Sequence, residues 1–349
     1  MLSLTYRPYE LRKRVALAIS RGKAASSHSV ILKVASNGLV GLGEAAEFDI
    51  PSYSESLPQL LAEIETTSSL IGAFDPFDRR GVEETLIKSG IGSSVRNAVD
   101  MALFDWAGKA LGVPVWKLLG IAPGPRSPIS VTVGINTPQG AVERLNAWLE
   151  LGTIRGIKVK MGSPAGIDAD QVMFEAIRDR VPAHAYIGVD ANGGWNLKQA
   201  IEMSSWLVSR GVVHMEQPLA PEDHGSFSEL FARTKLPIFL DESCCNTENL
   251  LQHGKYCHGV NIKLTKCGGL SEALRMIAVA RSMKLQTMIG CYGNTTLGNA
   301  AANQLASTID YIDLDSHLNL LDDPTCGLEF RDGFLLNTDK PGLGVDCVE

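Results

Sequence analysis

The chain has 349 residues, of which 45% are hydrophobic and 20% are charged, the ordinary composition of a globular protein. Its net charge of −7 makes a nucleic acid or an anionic membrane an unfavourable partner. No apolar stretch reaches the roughly 18 residues that span a bilayer, and the N-terminus lacks the apolar core of a signal peptide. We therefore expect a cytoplasmic protein with no nucleic-acid partner and no membrane partner.

The spacing of the seven cysteines argues against two roles. Cys244 and Cys245 are adjacent and the others are scattered singly, so no CxxC pair exists to hold a tetrahedral zinc ion. An odd number in a chain of this length fits reduced thiols better than a disulfide framework. Neither a structural zinc site nor a disulfide framework is expected.

The first third of the chain predicts an α+β module. Residues Ser29–Ala35 alternate as a strand does, Asn37 and Gly38 form a turn signal, and Leu39–Glu44 can return as the partner strand. Helical stretches follow this hairpin. They do not resemble the repeated strand–helix units found later in the chain.

The clearest helix of this module is predicted over Ser94–Leu111, because apolar residues recur there at helical spacing. Either Ser93 or Ser94 is expected to cap its N-terminus. Gly112, with Pro114 two residues later, is expected to end it.

From residue 129 onward, short β-rich runs alternate with helix-like stretches. This alternation predicts a parallel barrel in which each strand returns through a helix. A doubly wound open sheet is the rival fold, but neither GxGxxG nor a P-loop follows the first strand. The predicted strands are Ile129–Val133, Gly156–Lys160, Tyr186–Asp190, Val212–Glu216, Ile238–Asp241, Gly259–Lys263, Gln286–Ile289 and Tyr311–Leu314.

The sequence therefore predicts a (β/α)7β TIM-like barrel with an N-terminal α+β capping domain. The capping domain is expected at residues 1–125 and the barrel at residues 126–318. Residues 319–349 are punctuated by Gly and Pro and do not continue the barrel pattern. We expect this C-terminal segment to pack back onto the capping domain and complete it.

Three carboxylates follow successive predicted strands at their carboxyl ends, where barrel active sites are built. These residues are Asp190, Glu216 and Asp241. Placed together without a cation, they would repel one another and raise one another's pKa values. Three hard oxygen ligands suit Mg²⁺, which keeps other positions for water or substrate. The alternative is that each acid only caps the helix after its strand.

Lysines end two other strands. Lys158 and Lys160 are two residues apart on strand two, so their side chains share a face, and Lys263 ends strand six on the far side of the barrel. A lysine near other cations and partly desolvated can act as a base. The alternative is a salt bridge from each lysine to one of the carboxylates.

Strand eight supplies a further pair of acids, Asp313 and Asp315, on one face. The metal cluster does not require them, and paired acids are well suited to hold an ammonium group of the substrate. An ordinary salt bridge or turn at the end of the barrel is the alternative.

Taken together, these residues resemble the muconate-lactonizing subgroup of the enolase superfamily. The motifs that carry the resemblance are KVK ending at Lys160, VDAN with Asp190, MEQP with Glu216, LDES with Asp241 and NIKLTKCGG with Lys263. The resemblance implies a Mg²⁺ cofactor held by the three acids. It also implies that Lys160 and Lys263 act as bases on opposite faces of the substrate in a 1,1-proton transfer through an ene-diolate, with Lys158 adding positive charge.

The DLD sequence of strand eight looks like that of the dipeptide epimerases, in which such a pair holds the α-ammonium of the substrate. The same resemblance implies substrate contacts at Thr132 and Cys291. It also implies one at Arg21, which matches an arginine that some alanyl-glutamate epimerases use for a side-chain carboxylate; a solvated loop charge is the alternative for Arg21. Tyr292 and the two residues after it depart from the alanyl-glutamate pattern. Loops near residues 21–28 and 48–53 are expected to close over the barrel mouth and read the substrate side chain.

The function predicted is a Mg²⁺-dependent dipeptide epimerase that inverts the α-carbon of the C-terminal residue. Alternatives on the same fold are o-succinylbenzoate synthase, N-succinylamino-acid racemase and muconate cycloisomerase, whose substrates carry no ammonium. A Schiff-base aldolase using Lys160 or Lys263, or a binding protein on a relic barrel, belongs to another class. Barrels of this kind often associate, so a homo-oligomer is a further expectation.

Overall fold

The computed structural model describes residues 1–348. Its N-terminal part contains a three-stranded antiparallel sheet in the order β1-β2-β3, followed by a small hairpin of β4 and β5. The strands are β1 Ser3–Ile19, β2 Gly22–Ser36, β3 Leu39–Ala46, β4 Phe48–Ile50 and β5 Tyr53–Glu55. The predicted hairpin around Asn37 and Gly38 corresponds to the β2–β3 connection.

Strand β1 was not anticipated, and it changes the form of the predicted lid. The chain turns at Ser20 and Arg21 and then enters β2 at Gly22, so the stretch 21–28 is mostly strand and not a loop. Strand β1 is at the edge of its sheet and mostly exposed, so its sequence lacks the apolar alternation of a half-buried strand. The β1–β2 hairpin, not a loop, extends to the barrel mouth.

Four helices complete this part of the chain. They are α1 Leu57–Ile71, α2 Arg79–Lys88, α3 Ser93–Leu111 and α4 Val115–Leu118. Helix α3 matches the predicted helix, and Gly112 ends it in the left-handed conformation with φ of 67°. The predicted serine cap is wrong: Gly92 is the N-cap, and the Ser94 backbone N–H instead donates to the carboxylate of Glu55.

Helix α3 packs closely against β3, and two glycines on the strand make this contact feasible. A Cβ atom at Gly41 would lie 1.9 Å from the carbonyl oxygen of Ala102, and one at Gly43 would lie 1.8 Å from that of Ala98. Because both neighbours are helix backbone, they cannot move aside for a side chain. The two glycines therefore fix the distance between the helix and the sheet.

Eight parallel strands, in sequential order, form the barrel, and a bridge between Ile129 and Ile312 connects the first strand to the last. The strands are β6 Ser130–Val133, β7 Gly156–Lys160, β8 Tyr186–Asp190, β9 Val212–Glu216, β10 Ile238–Leu240, β11 Gly259–Lys263, β12 Gln286–Gly290 and β13 Tyr311–Asp313. Each predicted strand is present, and no boundary is off by more than one residue. The fold is the predicted (β/α)7β barrel with an antiparallel capping sheet.

Helices connect the strands and form the outer layer of the barrel. They are α5 Pro138–Leu149, α6 Ile167–Arg178, α7 Leu197–Val208, α8 His224–Arg233, α9 Thr247–His253, α10 Leu264–Cys267, α11 Leu270–Ser282 and α12 Thr296–Asn303. Their apolar faces and the barrel strands form one continuous core, while β1–β3 and α1–α3 enclose a second. None of the helices in residues 1–348 combines the length and apolar character needed to cross a membrane.

The C-terminal segment contacts both larger units. It contains β14 Thr325–Cys326, β15 Glu329–Arg331, β16 Phe334–Leu336 and β17 Asp346–Cys347. The backbone of Gly342 exchanges hydrogen bonds with Val113 and Val115 of the capping part, whereas Gly333 accepts a bond from Ile129 at the start of the barrel. The division into residues 1–125, 126–318 and 319–349 stays a prediction that these contacts support. Glu349 lies outside the described residues.

Candidate active site

Three buried carboxylates converge at the carboxyl ends of neighbouring barrel strands. Asp190 ends β8, Glu216 ends β9, and Asp241 directly follows β10. One oxygen from each acid lies within 4.8 Å of the others. The parallel register places Asp190 opposite Glu216 and, on its other side, opposite Lys160. Strand geometry thus brings together the three residues predicted as metal ligands.

The charge of this cluster fits the predicted Mg²⁺ ion. Burial, and then the charge of Asp190, raise the pKa of Glu216 to about 8, although Lys158 opposes them. Burial disfavours the charged form of this carboxyl group, and the nearby charges of Asp190 and Asp241 add to that effect. A divalent cation held by their oxygens would remove this repulsion, and carboxylate oxygens are ligands that Mg²⁺ prefers. Their role as ligands stays a prediction that this chemistry supports.

The two predicted bases flank the cluster. Lys160 Nζ donates to Asp190 Oδ2 at 2.6 Å, and Lys263 Nζ donates to Asp241 Oδ2 at 2.8 Å. Asp190 and Asp241 are the outer members of the trio, so the two lysines lie on opposite sides of Glu216. Both lysines also line the cavity at the barrel mouth. Each lysine therefore forms a salt bridge to one of the carboxylates, as the alternative interpretation of the sequence had it. Each also lines the cavity that would hold the substrate.

Lys158 connects the carboxylate cluster to the acid pair of strand eight. Its ammonium lies 2.6 Å from Glu216 Oε2 and 2.6 Å from Asp313 Oδ2, and the side chain is only 1% exposed. Burial opposes its positive charge, but Asp313 and then Glu216 outweigh burial and hold the pKa of Lys158 well above its ordinary value. Lys158 is therefore a permanent positive charge between two buried acids.

Two charged residues of the site were missed by the sequence analysis. Lys266 Nζ donates to Asp241 Oδ1 at 2.8 Å, and Glu242 lines the cavity beside the cluster. Burial alone would raise the pKa of Asp241, but Lys263 and Lys266 together hold it well below its ordinary value. Both missed residues lie inside the motifs quoted above, Lys266 three residues after Lys263 and Glu242 next to Asp241. Their positions inside these motifs could have identified them from the sequence.

Two buried asparagines donate hydrogen bonds to the acids. Asn192 Nδ2 donates to Asp190 Oδ2 at 3.2 Å and to Glu242 Oε1 at 3.1 Å. Asn261 Nδ2 donates to Glu216 Oε1 at 2.8 Å. These amides orient carboxylates without adding charge. They also lie within the VDAN and NIKLTK motifs.

The strand-eight acids lie in the same cavity with the other predicted substrate contacts. Asp313 Oδ1 accepts from the Ser130 hydroxyl at 2.7 Å, and Asp315 Oδ2 accepts from the Thr132 backbone N–H at 2.7 Å. The Cys291 thiol donates to the Asp313 carbonyl at 3.3 Å. Thr132, Cys291 and both acids line the cavity.

The two acids differ in whether a lysine of the protein already pairs with them. Burial opposes the ionisation of Asp313, but the charges of Lys158 and Lys160 and the hydrogen bonds from Lys158 and Ser130 together lower the pKa of Asp313. Burial and the charge of Asp313 raise the pKa of Asp315 to about 6. Within residues 1–348, Asp315 has no basic side chain within 4.0 Å, whereas Asp313 is paired with Lys158. Asp315 therefore has no ion-pair partner among the described residues, although the charge of Arg144, which lines the same cavity, attracts it.

Arg21 is positioned by the turn of the β1–β2 hairpin. Its Nη1 donates to Glu242 Oε1 at 2.8 Å and to the Asn192 carbonyl at 3.0 Å. These bonds tie the hairpin to the barrel next to the carboxylate cluster. A carboxylate of a substrate would have to compete with Glu242 for this guanidinium.

The hairpin and the start of the C-terminal segment supply the apolar wall of the cavity. Val15, Leu17 and Ile19 of β1 line it, together with Leu320. The bridge between Lys13 and Leu320 connects the two walls. The cavity therefore has charged groups at the barrel mouth and hydrocarbon above them.

Comparisons with known proteins agree with this geometry. The family profile described as the mandelate racemase / muconate lactonizing enzyme N-terminal domain matches residues 3–120. The profile described as enolase C-terminal domain-like matches residues 140–349. Together the two matches cover nearly the whole chain.

Relatives and solved structures match over nearly their full length. A hydrophobic dipeptide epimerase of a Flavobacteria bacterium is 39% identical over 100% of this chain and 99% of its own length. A hydrophobic dipeptide epimerase of Roseobacter litoralis is also 39% identical, over 98% of each chain. The crystal structure of a dipeptide epimerase from Enterococcus faecalis, complexed with Mg and L-Leu-L-Tyr, is 28% identical over 98% of each chain, with a TM-score of 0.92. The chain therefore belongs to the mandelate racemase / muconate lactonizing enzyme family of the enolase superfamily.

Proposed function

We propose that this protein is a Mg²⁺-dependent dipeptide epimerase that inverts the α-carbon of the C-terminal residue of its substrate. One observation carries the proposal. Lys160 and Lys263 lie on opposite sides of a carboxylate cluster, and Asp315, an acid with no ion-pair partner among the described residues, lies in the same cavity. The 39% identical relatives with the same activity in their names support it.

In this proposal, Asp190, Glu216 and Asp241 hold Mg²⁺. The bound ion supplies positive charge where negative charge develops on the substrate carboxylate, which is the larger part of the barrier reduction. Lys158 adds a fixed positive charge from beside Glu216. Its ammonium is buried between Glu216 and Asp313, and unlike Lys160 and Lys263 the residue does not line the cavity, so it contributes charge and does not act as a base.

Proton transfer is assigned to the flanking lysines. Lys160 Nζ removes the α-proton from one face of the substrate, and Lys263, protonated on the other face, delivers a proton to the same carbon. The configuration is thereby inverted, and the reverse reaction exchanges the two roles. Positioned general acid–base groups of this kind contribute about 10²–10⁴-fold to the rate.

The acid pair defines the amine end of the substrate. Because Asp315 has no ion-pair partner among the described residues, we assign it to the α-ammonium of the N-terminal residue. Asp313 lies in the same cavity, and its hydrogen bonds with Lys158 and Ser130 hold it in place. Thr132 and Cys291 are assigned to substrate contacts between the amine end and the reacting carbon.

We further propose a preference for apolar side chains. The hairpin residues Val15, Leu17 and Ile19 present hydrocarbon to the cavity, and burial of apolar surface there favours such substrates. Arg21 keeps its predicted role as a substrate contact, but its pairing with Glu242 makes a glutamate side chain a weaker fit. The relatives named hydrophobic dipeptide epimerases support this preference.

We also propose a cytoplasmic location and association into a homo-oligomer. All seven cysteines are free thiols, which a reducing compartment preserves. Sedimentation or light scattering would measure the oligomeric state. No nucleic acid or membrane is included among the proposed partners.

The test is α-hydrogen exchange in heavy water with Mg²⁺ and a small set of dipeptides, followed by mass spectrometry and chiral analysis. We expect deuterium at the α-carbon of the C-terminal residue and inversion there, with apolar dipeptides reacting fastest. Lys160→Ala and Lys263→Ala should each abolish inversion, while Lys198→Ala, at an exposed position on α7, should not.

Two results would contradict the proposal. Inversion by either active-site lysine variant at the parent rate would exclude the two-base scheme. The substrate assignment is tested by Asp315→Asn, which should weaken dipeptides far more than N-acylated amino acids. An equal effect on both substrate types would exclude a role for Asp315 in binding the ammonium.

A further inference from the structure

Tyr292 follows β12 and lies against one of the two proposed bases. The Lys263 ammonium lies 4.4 Å from the centroid of the Tyr292 ring. Lys160 makes no such ring contact with any of residues 1–348. The two bases, which the reaction treats as equivalent, therefore have different surroundings.

The capping part of the chain packs against the face of the Tyr292 ring. Phe48 of β4 stacks on Tyr292 with centroids 5.1 Å apart and planes inclined by 22°. Tyr53 of β5 packs edge-on against Phe48 at 5.6 Å, and its hydroxyl donates to Glu55. Glu55 also accepts the backbone N–H of Ser94 at the start of α3. An aromatic column, defined as Tyr53, Phe48 and Tyr292, thus runs from the capping part to Lys263.

The column offers Lys263 a second contact, and the attraction acts on the protonated form that delivers the proton. Its other fixed partner is Asp241, which is also a predicted metal ligand. A lysine side chain has four rotatable bonds, so one contact alone leaves the ammonium free to swing. An aromatic face attracts an ammonium group, and unlike Asp241 it does not also bind a metal ion.

The hydroxyl of Tyr292 does not explain its placement. Its oxygen is buried and has no hydrogen-bond partner within residues 1–348. Removing a buried hydroxyl that has no partner leaves nothing unsatisfied, so Tyr292→Phe should retain the fold. The ring, and not the hydroxyl, makes the contacts with Lys263 and Phe48.

We propose that Tyr292 is a positioning residue for Lys263, held in place by Phe48, and that the capping part thereby controls proton transfer on one face of the substrate only. The inference rests on the proposed function, because it takes Lys263 as one of the two bases. Bond breaking between the α-carbon and its hydrogen on the Lys263 face depends on the column. Bond breaking on the Lys160 face does not.

The test measures α-hydrogen exchange in heavy water separately for the two epimers of one apolar dipeptide. Lys160→Ala and Lys263→Ala serve as references, because each removes exchange from the epimer whose α-hydrogen faces the missing base. We expect Tyr292→Leu to follow the Lys263→Ala pattern, with a loss on the order of 10²-fold for that epimer. The other epimer should exchange within about threefold of the parent rate, and Tyr292→Phe should behave as the parent for both.

Phe48→Leu provides a second variant should Tyr292→Leu fail to fold, and we expect the same one-sided pattern with a smaller loss. Equal losses for both epimers in a folded variant would overturn the inference, as would a Tyr292→Phe loss as large as that of Tyr292→Leu. If the parent protein exchanged neither epimer of any dipeptide, the proposed function itself would fail.

A spectroscopic measurement tests the contact independently of activity. In protein labelled with ¹³C-lysine and free of Mg²⁺, the ring current of Tyr292 should shift the ε-methylene resonance of Lys263 upfield. Lys263→Ala assigns the resonance. The shift should persist in Tyr292→Phe and disappear in Tyr292→Leu, and an unshifted resonance in the parent protein would refute the contact.

Discussion

Lys158 offers a test of how charge is balanced inside the site. Lys158→Met keeps an unbranched side chain that is one atom shorter, but it removes an ammonium that lies 2.6 Å from both Glu216 and Asp313. Breaking a buried ion pair by removing one partner costs about 3–5 kcal/mol, because the remaining charge stays buried. We expect a loss of about that size in the free energy of unfolding.

The loss should depend on pH in a defined direction. Glu216 has a folded pKa of about 8, above its ordinary value of 4.5, so its ionisation destabilises the fold as pH rises from about 4.5 through 8. Without Lys158 this pKa rises further, and the additional destabilisation accrues above pH 8. The difference between parent and variant should therefore be larger at pH 9 than at pH 6.

Urea unfolding in Mg²⁺-free buffer, followed by circular dichroism at both pH values, measures these differences. The double variant Lys158→Met/Glu216→Gln should be more stable at pH 9 than Lys158→Met alone, because it carries one orphan charge fewer. Lys198→Met, the same substitution at an exposed site in the barrel, should change stability by less than about 0.5 kcal/mol. A Lys158→Met loss below about 1 kcal/mol at pH 9 would refute the reasoning.

Three further predictions concern metal, pH and packing. Mg²⁺ at a hundredfold excess over its dissociation constant should stabilise the parent by about 2.7 kcal/mol in thermal unfolding, and EDTA or Asp241→Asn should abolish the gain. Burial, and then Lys158, lower the pKa of His214 in the folded protein to about 3. As pH falls, the unfolded chain therefore binds this proton at a higher pH than the folded chain does. About 3 kcal/mol should be lost between pH 7 and pH 4 in urea unfolding, and His214→Leu, but not exposed His184→Gln, should reduce that loss. Gly43→Ala should cost about 1–3 kcal/mol because its Cβ meets helix α3, while Gly225→Ala on exposed α8 should cost nothing measurable.

Much of the barrel could be predicted because its strands are short, apolar and regularly spaced. The side-chain period of two also predicted that Lys158 and Lys160 share a face, since that follows from local geometry. The carboxyl ends of parallel strands meet at one edge of a barrel, so Asp190, Glu216 and Asp241 could be expected near one another. These inferences needed only local sequence and the topology of the fold.

Features that depend on distant contacts were missed or misjudged. Glu55 meets the N-terminus of α3 from a strand far earlier in the chain, so local capping rules chose the wrong residues. Strand β1 is at an exposed sheet edge, where hydrophobic alternation is not required. No pattern in the sequence connects these partners.

The sequence by itself determined the barrel, the order of the charged residues along it and the family to which the chain belongs. Only the tertiary structure decided which charges are paired: Lys158 pairs with Asp313, and Asp315 has no ion-pair partner within residues 1–348. Glu242 pairs with Arg21, and Phe48 of the capping part stacks on Tyr292. The physical reason is that periodicity reflects local backbone geometry. Pairing depends on distances between residues far apart in the chain, and folding alone sets those distances.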